Sequence, residues 1–414
     1  MAENRAAQFE HAILDCGAEF AADVLAQRQT VSLNVRVLSG AAHEPEAYCG
    51  LAGIVERCLS KGTQKRDGRA LADAFDALGI EWGSTAGRQS TLVRALCLPE
   101  FAEAALDLIA ELLTQPTFPD DACRVAVQLA QEELRHLEDE PQALLQMDMQ
   151  KLALGPVLGR HVGGTAESLA RITPTLIREH WKSQYSAGRL QITVAGPVDP
   201  PRLRSRIERN FAGFGAAELK GREVLGAALT PARHHREKDL KQQYMGISLA
   251  GAARSDAQFA VEQVLLGVLS GGMGARLFTE LREKQGLVYW VSAWHEQPRG
   301  RGVLHMGAST TPERCRTTYD TLLRELGRLA DDVTKEEVTR ARESLVAHAL
   351  TEDDLTRARA GVISDDLFHF GAPRGPEPRI AAVRAVTHAQ VREYAARLPR
   401  DRVCVATVGP VELS

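Results

Sequence analysis

The feature that most constrains the fold is an order of elements that occurs twice along the 414 residues. In each half, short β-rich runs alternate with stretches of helical periodicity. The first half closes on the strand pattern LQITVAG, which ends at Gly196, and the last strand pattern of the chain is RVCVATVG, which ends at Gly409. The repeated order predicts an α+β protein built from two homologous halves.

A polar stretch separates the two halves and sets the predicted domain boundaries. We expect an N-terminal half over residues 1–215, a linker over residues 216–240 and a C-terminal half over residues 241–414. Each half is long enough to bury a core of its own.

Composition excludes several classes of protein. Hydrophobic residues make up 44% and charged residues 25% of the chain, as in globular proteins. The net charge of −4 disfavours binding to nucleic acid or to anionic membranes. We find no apolar run long enough to span a bilayer, no signal-peptide pattern at the N-terminus, and seven cysteines without a C-x-x-C pair. These features predict a cytoplasmic protein without disulfides.

A helix is predicted from about residue 48 to 59, because apolar residues recur there at helical spacing. Its segment GLAGIVERCLSKGT, residues 50–63, resembles the zinc-binding helix of the pitrilysin-type (inverzincin, M16) metallopeptidases. The usual form of that helix is G-x-A-H-x-x-E-H-x-x-x-x-G-T. Its two histidines bind Zn²⁺ from one helix face, and its glutamate is the general base for the metal-bound water.

The chain departs from this pattern at the ligands themselves. Gly53 and Arg57 stand at the two histidine positions, whereas Glu56 stands at the position of the general base. Glu133, 76 residues after Arg57 in EELRHLEDEP, matches the family's third ligand, and Ala126 replaces an additional acid often found there. Glycine has no ligating side chain and a guanidinium has no free lone pair. A catalytic zinc needs three protein ligands, so we predict no metal and no catalytic residue in this chain on its own.

Two interpretations of the altered helix remain open. Glu56 and Arg57 could belong to an ordinary helix with a solvated or paired face. Alternatively, Arg57 reaches Glu133 and replaces the metal as its counter-charge, as a charge-assisted pair at a desolvated spot.

Other histidines and cysteines are weak candidates for a compensating metal site, because their spacing is irregular and charged helix faces are usually just solvated. The candidates are His136 with Glu132, Glu133 and Glu140; His43 with Cys49 and Cys58; and the pair His234 and His235.

The second half carries another family feature. The segment SGGMGARLFTELREKQGLVYWVSAW, residues 270–294, resembles the family's G-G-x-x-S-R-L-F-x-x-L-R-E-x-x-G-L-x-Y segment. The resemblance implies that Arg282 and Tyr289 contact the substrate beside the zinc of an opposing subunit. The alternatives are a salt bridge of Arg282 with Glu280 or Glu283 and a packed Tyr289. The SGGMG turn lacks the G-K-[ST] ending of a phosphate-binding loop.

The resemblance implies two halves of the metallopeptidase LuxS/MPP-like fold, each a mainly antiparallel sheet with helices packed on it. It also implies a non-catalytic subunit that binds peptide or unfolded polypeptide, in a heterodimer whose partner carries H-x-x-E-H and the zinc. Three alternatives stay open: an active zinc metalloendopeptidase with a non-standard site, a peptide-binding or assembly protein without a proteolytic role, and a nucleotide-binding protein.

Overall fold

A computed structural model describes residues 9–215 and 228–413 of the chain. Its strands are β1 Phe9–Ile13, β2 Glu19–Val24, β3 Val31–Val37, β4 Glu81–Ala86, β5 Thr91–Cys97, β6 Leu190–Gly196, β7 Arg233–Glu237, β8 Gln243–Gly251, β9 Val288–Glu296, β10 Gly302–Thr310 and β11 Cys404–Gly409. Its helices are α1 Leu51–Leu59, α2 Gly68–Asp76, α3 Ala102–Thr114, α4 Asp120–Leu137, α5 Pro141–Leu158, α6 Ala166–Leu169, α7 Pro174–Gln184, α8 Pro200–Phe211, α9 Phe259–Ser270, α10 Cys315–Asp332, α11 Lys335–Asp353, α12 Thr356–Phe370, α13 Pro376–Arg384 and α14 His388–Arg397, with a π-helix over Phe278–Lys284.

The first sheet has the order β1-β2-β6-β3-β5-β4, and its only parallel pair among the described strands is β2 with β6. The expectation of a mainly antiparallel sheet is therefore confirmed here. Alternation along β3 sends Leu33, Val35 and Val37 into a core that also takes residues from α1 and α3. This core fixes α1, the helix of the altered zinc motif, against the sheet.

The second sheet repeats the first without its edge strand β1. Its order is β7-β11-β8-β10-β9, and β7 with β11 is again the parallel pair. The strand β7 lies at residues 233–237, within the segment that the sequence analysis assigned to a linker over residues 216–240. The prediction of a linker is wrong at these residues, because the polar sequence RHHRE pairs with β11 along an exposed sheet edge.

The chain forms two compact units that are not continuous in sequence. The first comprises the described residues of Met1–Leu134, His161–Glu223 and Glu352–Pro376, and the second those of Arg135–Arg160, Val224–Thr351 and Glu377–Ser414. Two helices cause this discontinuity, because each belongs to the unit formed mainly by the other half of the sequence. In the first unit α12 packs on β2, β3 and β6, and in the second unit α5 packs on β8 and β11.

One element boundary differs from the sequence prediction, and two helices have notable ends or types. The helix expected from residue 48 begins at Leu51, after a short 3-10 turn over Glu46–Tyr48. Asp120 and Asp121 lie inside the first turn of α4, where their charges interact favourably with the helix dipole. The segment ARLFTELREK forms a π-helix over most of its length.

Candidate functional site

The helix α1 is held by a buried carboxylate at its N-terminus. Glu44 Oε2 accepts a hydrogen bond from the backbone N–H of Gly50 at 2.8 Å, and Oε1 accepts one from Ala52 at 2.6 Å. Gly50 has φ +94°, and a Cβ there would lie 3.0 Å from the carbonyl oxygen of Gly163. A glycine is therefore required where the chain enters this helix. The sequence analysis missed Glu44, although an acid ahead of a helix start is a usable capping signal.

Gly53 lies on α1 with space beside it. A Cβ built at Gly53 would meet one atom within 4 Å, the carbonyl oxygen of Val162 at 3.6 Å, which is an ordinary van der Waals contact. The glycine there is therefore not dictated by crowding at Cβ.

The structure brings Arg57 and Glu133 together. Arg57 Nη1 donates to Glu133 Oε1 at 2.9 Å and Nη2 donates to Oε2 at 2.5 Å, a two-pronged pair between α1 and α4. Hydrogen bonding to Glu133 raises the pKa of Arg57, and hydrogen bonding from Arg57 lowers the pKa of Glu133. The Arg57 guanidinium thus binds both carboxylate oxygens of Glu133, the residue that matches the family's third zinc ligand.

One part of that prediction is wrong: the pair is not desolvated. The side chain of Arg57 is 35% exposed and that of Glu133 is 59% exposed. Water screens a pair this open, so we expect it to contribute no more than about 1 kcal/mol to stability.

Glu56, at the position of the family's general base, is also engaged. Its Oε1 accepts a hydrogen bond from the hydroxyl of Ser84 on β4. The buried Tyr185 lies close enough that the Glu56 charge adds to the effect of burial, the larger cause, in raising the pKa of the tyrosine. Ser84 was not anticipated from the sequence, because nothing local connects it to a residue 28 positions earlier.

The remaining candidate ligands are spread over the fold, and several of them are bonded elsewhere. His43 Nδ1 lies 3.2 Å from the Gly40 nitrogen, Cys49 Sγ lies 3.1 Å from the Glu46 carbonyl oxygen, and His235 Nδ1 lies 2.9 Å from Thr407 Oγ1. His136, Glu132 and Glu140 are exposed, and Ala126 is buried. Over residues 9–215 and 228–413, no three histidine, cysteine, aspartate or glutamate side chains come together as a metal site would require.

The residues at the altered motif therefore do not fit a zinc ion. Gly53 offers no donor atom, the Arg57 guanidinium remains a cation, and the two carboxylates already accept hydrogen bonds from Arg57 and Ser84. A divalent ion placed at Glu133 would have to displace a positive charge that the carboxylate binds with both oxygens.

In the second unit, the π-helix and β9 bring Arg282 and Tyr289 together through the backbone. Arg282 Nη1 donates to the carbonyl oxygen of Tyr289 at 3.1 Å, and its guanidinium lies 5.3 Å from the centre of the Phe278 ring. The Tyr289 side chain points outward, and the residue is 58% exposed. The alternative of a salt bridge to Glu280 is not observed, because Glu280 pairs with Lys284 at 2.6 Å.

The glycine turn SGGMG lies at the C-terminal end of α9, where the backbone N–H of Gly271 donates to Gly267. The carbonyl of Gly274 accepts a hydrogen bond from Arg340 Nη2 at 2.7 Å. One carbonyl of this turn is thus bound by an arginine side chain.

Two family profiles match the chain in succession. Residues 20–166 match the profile described as "Insulinase (Peptidase family M16)", and residues 171–345 match that described as "Peptidase M16 inactive domain". The chain belongs to peptidase family M16. None of the helices in the described parts of this M16 chain is long and apolar enough to cross a membrane.

Relatives of this M16 chain include a protein from Rickettsia felis described as an uncharacterized zinc protease, 25% identical and covering 93% of each chain. A protein of the same description from Bacillus subtilis is 26% identical, over 77% of this chain and 78% of its own. Among solved structures, a peptidase M16 inactive domain from Pseudomonas fluorescens has a TM-score of 0.88 at 21% identity, covering 98% of this chain and 99% of its own. A protease from Helicobacter pylori has a TM-score of 0.86 at 16% identity, covering 97% and 99%. These structures confirm the two-domain M16 fold.

Proposed function

We propose that this M16 chain is a peptidase-like subunit that does not hydrolyse peptides on its own. It binds peptide or unfolded polypeptide and complements a separate subunit that carries H-x-x-E-H and the zinc. The observation that carries the proposal is the guanidinium of Arg57, at the second histidine position, bound through two hydrogen bonds to Glu133.

The chemistry of that pair explains the loss of hydrolysis. Zinc activates water by withdrawing electron density from it, and it needs three protein ligands to be held for that task. At this site, a permanent cation neutralises the one carboxylate that matches a ligand. Glu56 keeps the position of the base, but no activated water is expected within its reach.

The peptide-binding part of the proposal rests on Arg282 and Tyr289. A guanidinium has five N–H donors, and Arg282 directs Nη1 to the Tyr289 carbonyl, so its other donors can serve a peptide carbonyl. The exposed phenol of Tyr289 can donate in the same way. The zinc and the partner subunit are expected outside this chain.

The test compares the purified chain, a zinc-bearing H-x-x-E-H homologue and their mixture for cleavage of an unfolded polypeptide. We expect cleavage to rise in the mixture and to fall back with Arg282→Ala. Lys284→Ala is the matched control, because Lys284 lies on the same π-helix and pairs with Glu280. Peptide binding without any change in the partner's cleavage would instead favour a binding or assembly role.

A second candidate, an active zinc protease with a non-standard site, is favoured by the descriptions of the relatives. It requires stoichiometric zinc in the purified chain, loss of that zinc in Glu133→Ala, and chelator-sensitive cleavage by the chain alone. Metal content measured by mass spectrometry separates the two candidates directly.

A further inference from the structure

A cavity of about 530 Å³ lies in the first unit, away from the altered zinc motif. It is lined by the loop at Lys65 and Arg66, by the last turns of α3 and by the last turn of α8. Leu108 and Ala110 contribute apolar surface, and the remaining lining residues are polar or charged. We call it the basic cavity.

The basic cavity carries more positive than negative charge. Its cations are Lys65, Arg66, Arg206 and Arg209, and its carboxylates are Asp107 and Glu111. This excess is unlike the chain as a whole, whose net charge is −4.

Both carboxylates of the basic cavity are already neutralised. Glu111 is buried and accepts hydrogen bonds from Arg66 and from the hydroxyl of Thr63. Asp107 accepts from Arg206, with Nε at 2.7 Å from Oδ1, and from the amide of Asn210 at 2.8 Å. Arg66 and Arg206 are therefore committed to partners within the fold.

Lys65 and Arg209 are different. Both are exposed, and neither side chain is hydrogen-bonded to another described residue, although the charge of Arg209 adds to the hydrogen bonds from Arg206 and Asn210 in lowering the pKa of Asp107. The amide of Gln115, which also lines the cavity, adds a neutral donor. Two exposed cations without a hydrogen-bonded partner, in a concave polar lining that also holds a neutral donor, suit a small oxyanion.

We propose that the basic cavity binds a small oxyanion with at least two negative charges, contacted by Lys65 and Arg209. Phosphate-bearing molecules and polycarboxylates share this chemistry. The site is independent of the proposed peptidase-like function, since none of its residues belongs to the altered motif or to the Arg282 and Tyr289 segment.

The test measures binding of inorganic diphosphate and of citrate to the full chain by isothermal titration calorimetry. We expect saturable binding that weakens as salt rises, since the contacts are charged. Lys65→Gln with Arg209→Gln should weaken it by at least about tenfold, because both charged contacts are lost. Tighter binding of diphosphate assigns a phosphate ligand, and tighter binding of citrate assigns a polycarboxylate.

The matched control is Lys182→Gln with Lys335→Gln, which makes the same change in net charge at exposed lysines that do not line the cavity. The control pair should leave the affinity unchanged. Absence of saturable binding to the wild-type chain, or equal weakening by the two pairs of substitutions, would overturn the proposal. Circular dichroism of each variant, with the single substitutions as a fallback, keeps misfolding from being mistaken for lost binding.

Discussion

The two segments that carry the family resemblance differ in what they share with the family pattern: α1 keeps its helix but not the ligand side chains, and the π-helix segment keeps its side chains. Around α1, the support is intact: Glu44 caps the helix and its apolar face is buried, but the ligand side chains are replaced. Around the π-helix, the side chains Arg282 and Tyr289 remain, yet they lie at an exposed surface and meet through one backbone carbonyl. A helix can thus keep its packing while the side chains at its ligand positions differ, because packing and ligation depend on different residues.

The largest expected effect comes from restoring the ligands on α1. Gly53→His with Arg57→His should convert the chain to one that retains about one zinc per molecule, since Glu133 would complete three ligands. A Cβ at position 53 would lie 3.6 Å from the carbonyl oxygen of Val162, so the first atom of the new side chain meets no clash.

Metal content after dialysis measures this outcome, and adding Glu133→Gln to the double variant is the control that should lose the zinc. If the double variant folds and stays free of zinc, more than the ligand side chains differs at this site. The contrast drawn above between packing and ligation would then be wrong.

Glu44 should matter more to stability than any side chain of the π-helix segment. Glu44→Ala leaves the N–H groups of Gly50 and Ala52 without their carboxylate, and we expect a loss of about 2–4 kcal/mol in the free energy of unfolding. Urea denaturation measures it. Glu46→Ala, at an exposed acid of the preceding turn, should change the free energy little. A similar loss in both variants would contradict the role given to Glu44.

The first unit should lose stability in acid, because α7 carries a buried histidine whose pKa is lowered. Burial lowers the pKa of His180 to about 4, with further lowering by the charges of His43 and Arg189. The unfolded chain takes up this proton near its ordinary pKa of about 6.5, whereas the folded chain stays neutral until the pH falls to about 4. The free energy of unfolding therefore decreases as the pH is lowered through this window, by about 2 kcal/mol between neutral pH and about pH 5.

The dependence of the free energy of unfolding on pH should become weaker in His180→Gln. It should persist in His136→Gln, because His136 is exposed on α4. Denaturation midpoints at a series of pH values give the comparison. Equal slopes in the two variants would show that other groups govern the acid sensitivity.

The smallest effects are expected at the exposed pairs of the two segments. A double-mutant cycle with Arg57→Met and Glu133→Gln should give a coupling of at most about 1 kcal/mol, lowered by salt. Because the folded pKa of Glu133 is lowered, this coupling is present above the unfolded pKa of about 4.3 and is lost as the pH falls below it. A coupling larger than this would mean that the Arg57–Glu133 pair is shielded from water in solution.

Arg282→Ala should leave the free energy of unfolding within about 0.5 kcal/mol of the wild type.

Much of the fold followed from local patterns. The apolar spacing in α1 reports on neighbours a few residues away, and this helix formed within its expected range. The strand β7 was missed because an edge strand needs no apolar alternation, and RHHRE reads as a polar connection. The exchange of α5 and α12 between units was missed because periodicity shows that a helix has a buried face, not which sheet covers it.

The sequence by itself determined what the altered motif cannot do. A glycine and a guanidinium lack the donor atoms of two imidazoles in any fold, so that conclusion needs no coordinates. Only the tertiary structure decided that Arg57 binds Glu133 across 76 residues, that Ser84 bonds Glu56, and that the pair stays open to water. Composition sets the chemistry available to each side chain, whereas distance and exposure arise from packing between segments far apart in the chain.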